Sequence, residues 1–333
     1  MMSVRLFFIV FIVLSHSMEL KGSCTSSGNR SVRFWVGSGG AGGVQIIDRT
    51  SNASCTDFFI GNLTKYNSSV DSLGFEVWTL TTRDGGIPTA QFNDGSSQDP
   101  GLAACVAQIK KMFPNIKIGI CGTVDSVGSL SASAKDPTSY VSALRNFTDG
   151  IGFAVDEIWT DFEIGDLPSS DIDGANKMHE LTNNIWPTYR YAGCEYRDPP
   201  YFGENCSSFV EGAPGVIVQA ADAYWSTAIS GGWYGGFEKL LDEEIRNIGG
   251  LKNAPFLSPA ICPDCATGDD ANNNLTQEEL YARMDIVCSR GVSDISMFTF
   301  FEVAQLHENS QNDRYMEALR YFRTGTIDTT VVY

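Results

Sequence analysis

The 333-residue chain is poor in histidine, poor in positive charge, and has no apolar run long enough to cross a bilayer. Three histidines are too few for a His-rich metal site. Lys and Arg together number 23 against 40 Asp and Glu, a formal charge of −17. A field of that sign repels nucleic-acid phosphates and anionic lipid, so neutral or cationic ligands remain. The longest run at the N-terminus, Leu6 to Leu14, is nine residues, against the roughly 20 a membrane span needs. The C-terminal TIDTTVVY carries neither a lipid-anchor tail nor a retention signal. No low-complexity linker divides the chain. With 43% apolar and 19% charged residues, wholesale disorder is excluded.

What is present at the N-terminus reads as a secretory signal. Arg5 precedes the apolar run, and Ser15-His16-Ser17 places small residues around a cut after Ser17. Residues 1–17 are therefore expected to be removed, leaving 18–333 as a protein that is secreted or held in an endomembrane lumen. Seven N-x-S/T sequons, at Asn29, Asn52, Asn62, Asn67, Asn146, Asn205 and Asn274, agree with that compartment. The cluster from Asn29 to Asn67 predicts a glycosylated surface. All nine cysteines (24, 55, 105, 121, 194, 206, 262, 265 and 288) lie beyond the cut, and in an oxidising compartment most should pair, leaving one over. Cys194 with Cys206 and Cys262 with Cys265 are the local pairings expected. Cys262-Pro-Asp-Cys265 also has the form of a redox or zinc half-site. Without a second such motif or a nearby histidine, a loop disulfide is the better reading.

Along the chain, short β-rich runs alternate with helical stretches. Strands are expected at Ser31–Val36, Phe75–Thr82, Lys117–Cys121, within Phe153–Glu163, and at Tyr189–Cys194, Val216–Tyr224, Pro255–Ile261 and Ile295–Phe301. Helices are expected at Gly101–Phe113, from Pro137 to Phe147, Gly174–Ile185, Phe237–Ile248, from Thr276 to Arg290, and Arg314–Phe322. Asp99-Pro100 and Asp136-Pro137 provide an N-cap with proline in the first turn. Thr276 to Glu279 forms a capping box, and Gly249-Gly250 and Gly291 are stop signals. Eight strands alternating with helices predict an α/β protein with one (β/α)8 TIM barrel. The alternative, an open doubly wound sheet, is weakened because GSGGAGG after the first strand opens no obvious apolar helix.

The most informative stretch is Asp156-Glu157-Ile158-Trp159-Thr160-Asp161-Phe162-Glu163. Strand side chains alternate, so Glu157, Trp159, Asp161 and Glu163 share one face, and Ile158, Thr160 and Phe162 pack under the helices. Like charges two residues apart on a strand lie roughly 6–7 Å apart, and each raises the other's proton affinity. A strand interior gains nothing structural from such a pattern, so function is its natural explanation. Glu163 is the last residue before the loop, at the barrel end where catalytic groups gather. Glu157 lies at the lower end and requires an arginine partner or exposure. Asp156, at the strand start, is a site candidate, although capping or backbone hydrogen bonding is its commoner use. Trp35 and Trp78 are read as core, and His179 as a residue of a helix surface.

This strand resembles the fourth-strand motif D-x-x-D-x-D-x-E of glycoside hydrolase family 18, the chitinases and chitinase-like proteins. Three of the four acids match, including the last two. Elsewhere the chain departs from the family. Asp222-Ala223-Tyr224-Trp225 keeps only the tyrosine of the sixth-strand motif, Thr299 follows Met297-Phe298 on the eighth, and Cys121-Gly122 is what remains of the third. The resemblance implies Glu163 as general acid, with the substrate's own 2-acetamido oxygen as nucleophile, an exception to the two-carboxylate scheme. Asp161 would orient the acetamide and stabilise the cationic intermediate. Tyr224 would hydrogen-bond the same group, and Trp159, Trp225 and Glu302 would contact sugar. Trp159 stands where the family has its middle aspartate. The implied partner is a glycan containing N-acetylglucosamine, acted on by a monomer that needs no cofactor. A non-catalytic carbohydrate-binding protein on the same barrel is the alternative, and a barrel hydrolase with ordinary two-carboxylate chemistry is a third.

Overall fold

The computed structural model describes residues 24, 30–36, 59–92, 100–162, 167–192, 216–219, 238, 241–242, 245–246, 250, 257–261, 277–297 and 311–327. Its elements are β1 (Ser31–Val36), α1 (Gly61–Tyr66), β2 (Ser72–Arg83), β3 (Ile87–Phe92), α2 (Pro100–Met112), β4 (Lys117–Val124), α3 (Val127–Lys135), α4 (Pro137–Gly150), β5 (Glu157–Asp161), α5 (Ile172–Asn183), β6 (Thr188–Ala192), β7 (Val216–Gln219), β8 (Leu257–Ile261), α6 (Gln277–Ser289), β9 (Asp294–Met297) and α7 (Gln311–Thr324).

Parallel pairing runs β1–β2–β4–β5–β6–β7–β8–β9 and returns to β1. Because β1 pairs with both β2 and β9, the sheet has no free edge among these eight strands. The doubly wound alternative is thereby excluded, and the fold is the expected closed (β/α)8 barrel. β3 is an addition: it pairs antiparallel with the upper half of β2. The turn between them contains Gly85 and Gly86, with φ of 82° and 76°, a backbone that side chains with a Cβ rarely adopt. Neither β3 nor α3 is among the elements expected from the sequence. Pro88 within the run and the serine-rich VGSLSASAK mask both patterns.

The helices cover the barrel through stripes at helical spacing. α2 buries Leu102, Cys105, Val106 and Ile109, and α5 buries Ala175, Met178, His179 and Thr182. His179 therefore belongs to the inner face of α5, not to its surface. Asp136 caps α4 by accepting from the Ser139 amide at 3.1 Å, with Pro137 in the first turn, as the sequence predicts. Gly291 follows α6 with φ of 77°. Ile158 and Phe162 join the outer core under the helices, whereas Trp159 packs inside the barrel with Trp35, Cys121 and Tyr189. Trp35 and Trp78 are core residues, as expected.

A disulfide joins Cys24 to Cys288, 264 residues apart, and Cys105 is also disulfide-bonded. Cys121 is a free, buried thiol. The local pairs expected between Cys194 and Cys206 and between Cys262 and Cys265 lie outside the described residues, as do the signal segment 1–17 and four of the sequons. Of the other three, Asn67 and Asn146 are exposed, but Asn62 is buried in α1. The glycosylated surface expected from Asn29 to Asn67 is thus interrupted at Asn62. Among the described residues no helix is long and apolar enough to cross a membrane.

Candidate active site

Strand β5 has a different environment at each of its levels. At the base, Glu157 is fully buried and its carboxylate accepts from Arg33 Nη1 at 2.5 Å and Ser72 Oγ at 2.8 Å. Lys117 Nζ stands 3.2 Å away. Arg33 also donates through Nε to Asp294 at 2.9 and 3.1 Å, and its guanidinium lies 3.6 Å from the centre of the Tyr189 ring. Of the two ways to accommodate Glu157, an arginine partner or exposure, the structure shows the first, and β1 supplies it. Burial alone would raise the Glu157 carboxyl, but Arg33, Lys117 and the Ser72 hydroxyl together hold it below the usual glutamate range. Burial likewise disfavours charge on Arg33, and Asp294 and Glu157 overcome it, so the guanidinium stays ionised. This cluster ties β1, β2, β5 and β9 together across the barrel floor.

Asp156 belongs to the same floor. Its Oδ2 accepts from the Ile118 amide at 2.8 Å and from Lys110 Nζ at 3.0 Å. It fastens the approach of β5 to β4 and α2, at the opposite end of the strand from Asp161. In the structure its carboxylate serves backbone and lysine donors.

The middle level is filled by Trp159. Its indole has no exposed surface, and its Nε1 donates to Glu157 at 3.2 Å. Trp35 meets it edge-on at 5.3 Å between ring centres. The space it occupies comes from two glycines on neighbouring strands. A Cβ at Gly74 would lie 2.4 Å from the indole, and one at Gly119 2.7 Å from Nε1. Trp159 is thus a packing residue of the barrel interior, and its expected role as a sugar-contacting platform is corrected for that reason.

Asp161 is the next residue on this interior face, at the carboxyl end of β5 and partly exposed. Two further groups lie near it, at the register of Trp159 on the adjoining strands. Glu76, in register with Cys121, comes from β2, and Cys121 comes from β4. Burial raises the Glu76 carboxyl above the usual glutamate range. Burial also pushes the Cys121 thiol well up, and the charges of Glu76 and Asp161 add to this against the Asp161 and Gly122 amides. Both acids thus act on one thiol inside the barrel. Glu76 is not among the residues that the sequence pattern singles out. Its only signal is an acid in the otherwise apolar run Phe75-Glu76-Val77-Trp78, where a bulge in pairing with β4 offsets the alternation. Glu163, Tyr224, Trp225 and Glu302 lie outside the described residues.

No protein-family model matches the chain, and no curated protein does. Solved structures do. A chitinase from Chromobacterium violaceum superposes with a TM-score of 0.57 at 12% identity, over 88% of this chain and 98% of that one. A chitinase from Bacteroides thetaiotaomicron gives 0.57 at 8% identity, over 91% and 99%. The Bacillus cereus spore cortex-lytic enzyme SleL gives 0.54 at 10% identity, over 90% of this chain and 75% of that one. At such identities the likeness is one of architecture: in fold, the chain is a chitinase-like (β/α)8 barrel.

Proposed function

We propose that the protein is a secreted, monomeric glycoside hydrolase of the family 18 type, divergent in sequence, with residues 1–17 as its signal and 18–333 as its barrel. It cleaves β-1,4-linked N-acetylglucosamine in chitin-like oligomers or glycan cores, with retention of configuration. The observation that carries this reading is Asp161: an acid on the interior face at the carboxyl end of β5, two residues before Glu163, in a barrel of chitinase-like fold.

In this reading Glu163 donates its proton to the glycosidic oxygen as the bond to the anomeric carbon breaks. The carbonyl oxygen of the substrate's 2-acetamido group attacks that carbon from the opposite face, giving an oxazolinium ion. Asp161, ionised, faces the acetamide nitrogen and balances the positive charge, and Tyr224 hydrogen-bonds the same group. Water then attacks the anomeric carbon, with Glu163 taking up its proton, and the acetamide is released unchanged. Trp225 and Glu302 are proposed to contact the sugar around this point. A carboxyl near a second acid, in a pocket partly shielded from water, keeps its proton to higher pH, as a general acid must. No step calls for a metal or cofactor.

The test is hydrolysis of chito-oligosaccharides by the intact protein. Product release that Glu163→Gln lowers by at least about a hundredfold, with binding retained, supports the reading. Binding without turnover in the unaltered protein overturns it in favour of the carbohydrate-binding alternative. Equal cleavage of substrates lacking the 2-acetamide defeats the substrate-assisted step.

A further inference from the structure

Outside the barrel mouth, the β2–β3 hairpin and α4 enclose an open groove of about 600 Å³. One wall comes from β3, where Ile87, Thr89 and Gln91 alternate along the strand. The other comes from α4, with Ser139, Ser142 and Asn146. Beneath them Phe147 packs on Phe92 at 4.9 Å between ring centres, which fixes helix against hairpin. Ile87, the first residue after the three-residue turn Asp84-Gly85-Gly86, is 59% exposed. The groove therefore offers apolar surface beside hydroxyl and amide groups. A pyranose matches such a surface, with its C–H faces on the apolar part and its hydroxyls on the polar part. The volume falls within the range of ligand clefts, about 300–1,000 Å³.

One wall residue is also an attachment point. Asn146-Phe147-Thr148 is a sequon, and Asn146 is exposed on the groove side of α4. A glycan linked there begins inside the groove, so its first sugars reach the walls at a high effective concentration and without a separate binding event. We infer that Asn146 carries an N-linked glycan whose innermost N-acetylglucosamine units lie in the groove between α4 and the β2–β3 hairpin, bracing the hairpin against the helix. Asn62 provides the internal contrast. Its side chain is 8% exposed, packed in α1 beside Leu63 and Tyr66, so a folded molecule has no room for sugar at that sequon.

The inference rests on entry into the secretory pathway, which belongs to the function proposed above. The experiment therefore has two arms in one eukaryotic secretory host. The first uses the full chain with its own residues 1–17, and the second replaces that segment with a proven secretory leader. Secretion in the second arm alone counts against the native signal and leaves Asn146 tested. In the protein recovered from the medium, peptide mapping should find Asn146 occupied and Asn62 bare. Enzymatic deglycosylation of the folded protein should release the Asn146 glycan at least about fivefold more slowly than after denaturation, a difference that Ile87→Ser should reduce. A bare Asn146 in secreted, folded protein overturns the inference, as does an occupied Asn62. Release at Asn146 that is equally fast before and after denaturation refutes the seating in the groove. None of these readouts depends on hydrolytic activity, so a failure here and a failure of the proposed chemistry remain distinguishable.

Discussion

Two glutamates in the same barrel interior meet opposite fates. Glu157, on the floor, is surrounded by Arg33, Lys117 and Ser72, and its carboxyl is held below the ordinary range. Glu76, one layer higher on β2, sits where burial raises its carboxyl, and it shares the Cys121 thiol with Asp161. Both are acids in apolar strands, and both are buried wholly or in part. The difference lies in what the opposite strands supply. A floor of matched charges carries no proton to give and acts as a clasp between strands. Glu76, raised by burial, keeps its proton to higher pH, the state that acid catalysis near neutral pH uses.

The largest effect expected from breaking this contrast comes at Arg33. Arg33→Met leaves Glu157 and Asp294 as buried acids without their guanidinium, and loss of one partner of such a cluster costs about 3–5 kcal/mol. Urea denaturation should show that loss or an insoluble product. A midpoint within experimental error of the parent would show that the floor is not the clasp described.

Trp159, which donates to Glu157 from the level above it, is the next position to test. Trp159→Ala should cost about 3–5 kcal/mol through the cavity it leaves. Replacement by aspartate, the residue of the resembled motif, should do no better, because Gly74 and Gly119 are shaped to the indole. Gly119→Ala should cost about 1–3 kcal/mol by overpacking. In the Gly119→Ala/Trp159→Phe double variant the two losses should add to less than their sum, since the smaller ring frees the space that the methyl needs. Strict additivity would mean that the glycine is not there for the tryptophan.

The smallest expected effect is in pH dependence, and its sign separates the two glutamates. Glu157 binds protons more weakly in the native state than in the unfolded chain. Its contribution is therefore present above the unfolded value near 4.5 and is lost as pH falls through the lowered native value. Glu76 binds protons more tightly when folded. Its contribution is present below the unfolded value and is lost as pH rises through the raised one. Urea midpoints measured from about pH 7 to about pH 3 should lose part of their acid slope in Glu157→Gln. Glu76→Gln should instead remove part of a decline toward neutral pH. Slopes of the same sign in both variants would erase the distinction.

Much of this could be read in the sequence wherever a local rule applied. β1 has the bounds its β-branched and aromatic run predicts, and Asp136-Pro137 opens α4 as a capped helix. Alternation along β5 correctly divided Ile158 and Phe162 from Glu157 and Trp159, and it left Glu157 needing either an arginine partner or exposure. What stayed illegible depends on neighbours distant in the chain. Alternation assigned Trp159 and Asp161 to one face, but only the glycines on β2 and β4 show that the tryptophan is walled in. That Asp156 bonds to Ile118 and Lys110 depends on β4 and α2, which its own strand does not specify. His179 turned inward with its helix, and Cys24 found a partner 264 residues away that no spacing rule selects.

The sequence by itself determined the periodicity of the strands and helices, the face on which each β5 residue lies and the acidic character of that face, because these follow from backbone geometry within a few residues. Only the tertiary structure decided that the sheet closes, that Glu157 is neutralised by β1 while Glu76 is not held down in the same way, and that the β2–β3 hairpin leaves a groove beside Asn146. Closure, burial and proton affinity depend on what the other strands bring to the same point in space, and that is set by packing, not by order along the chain.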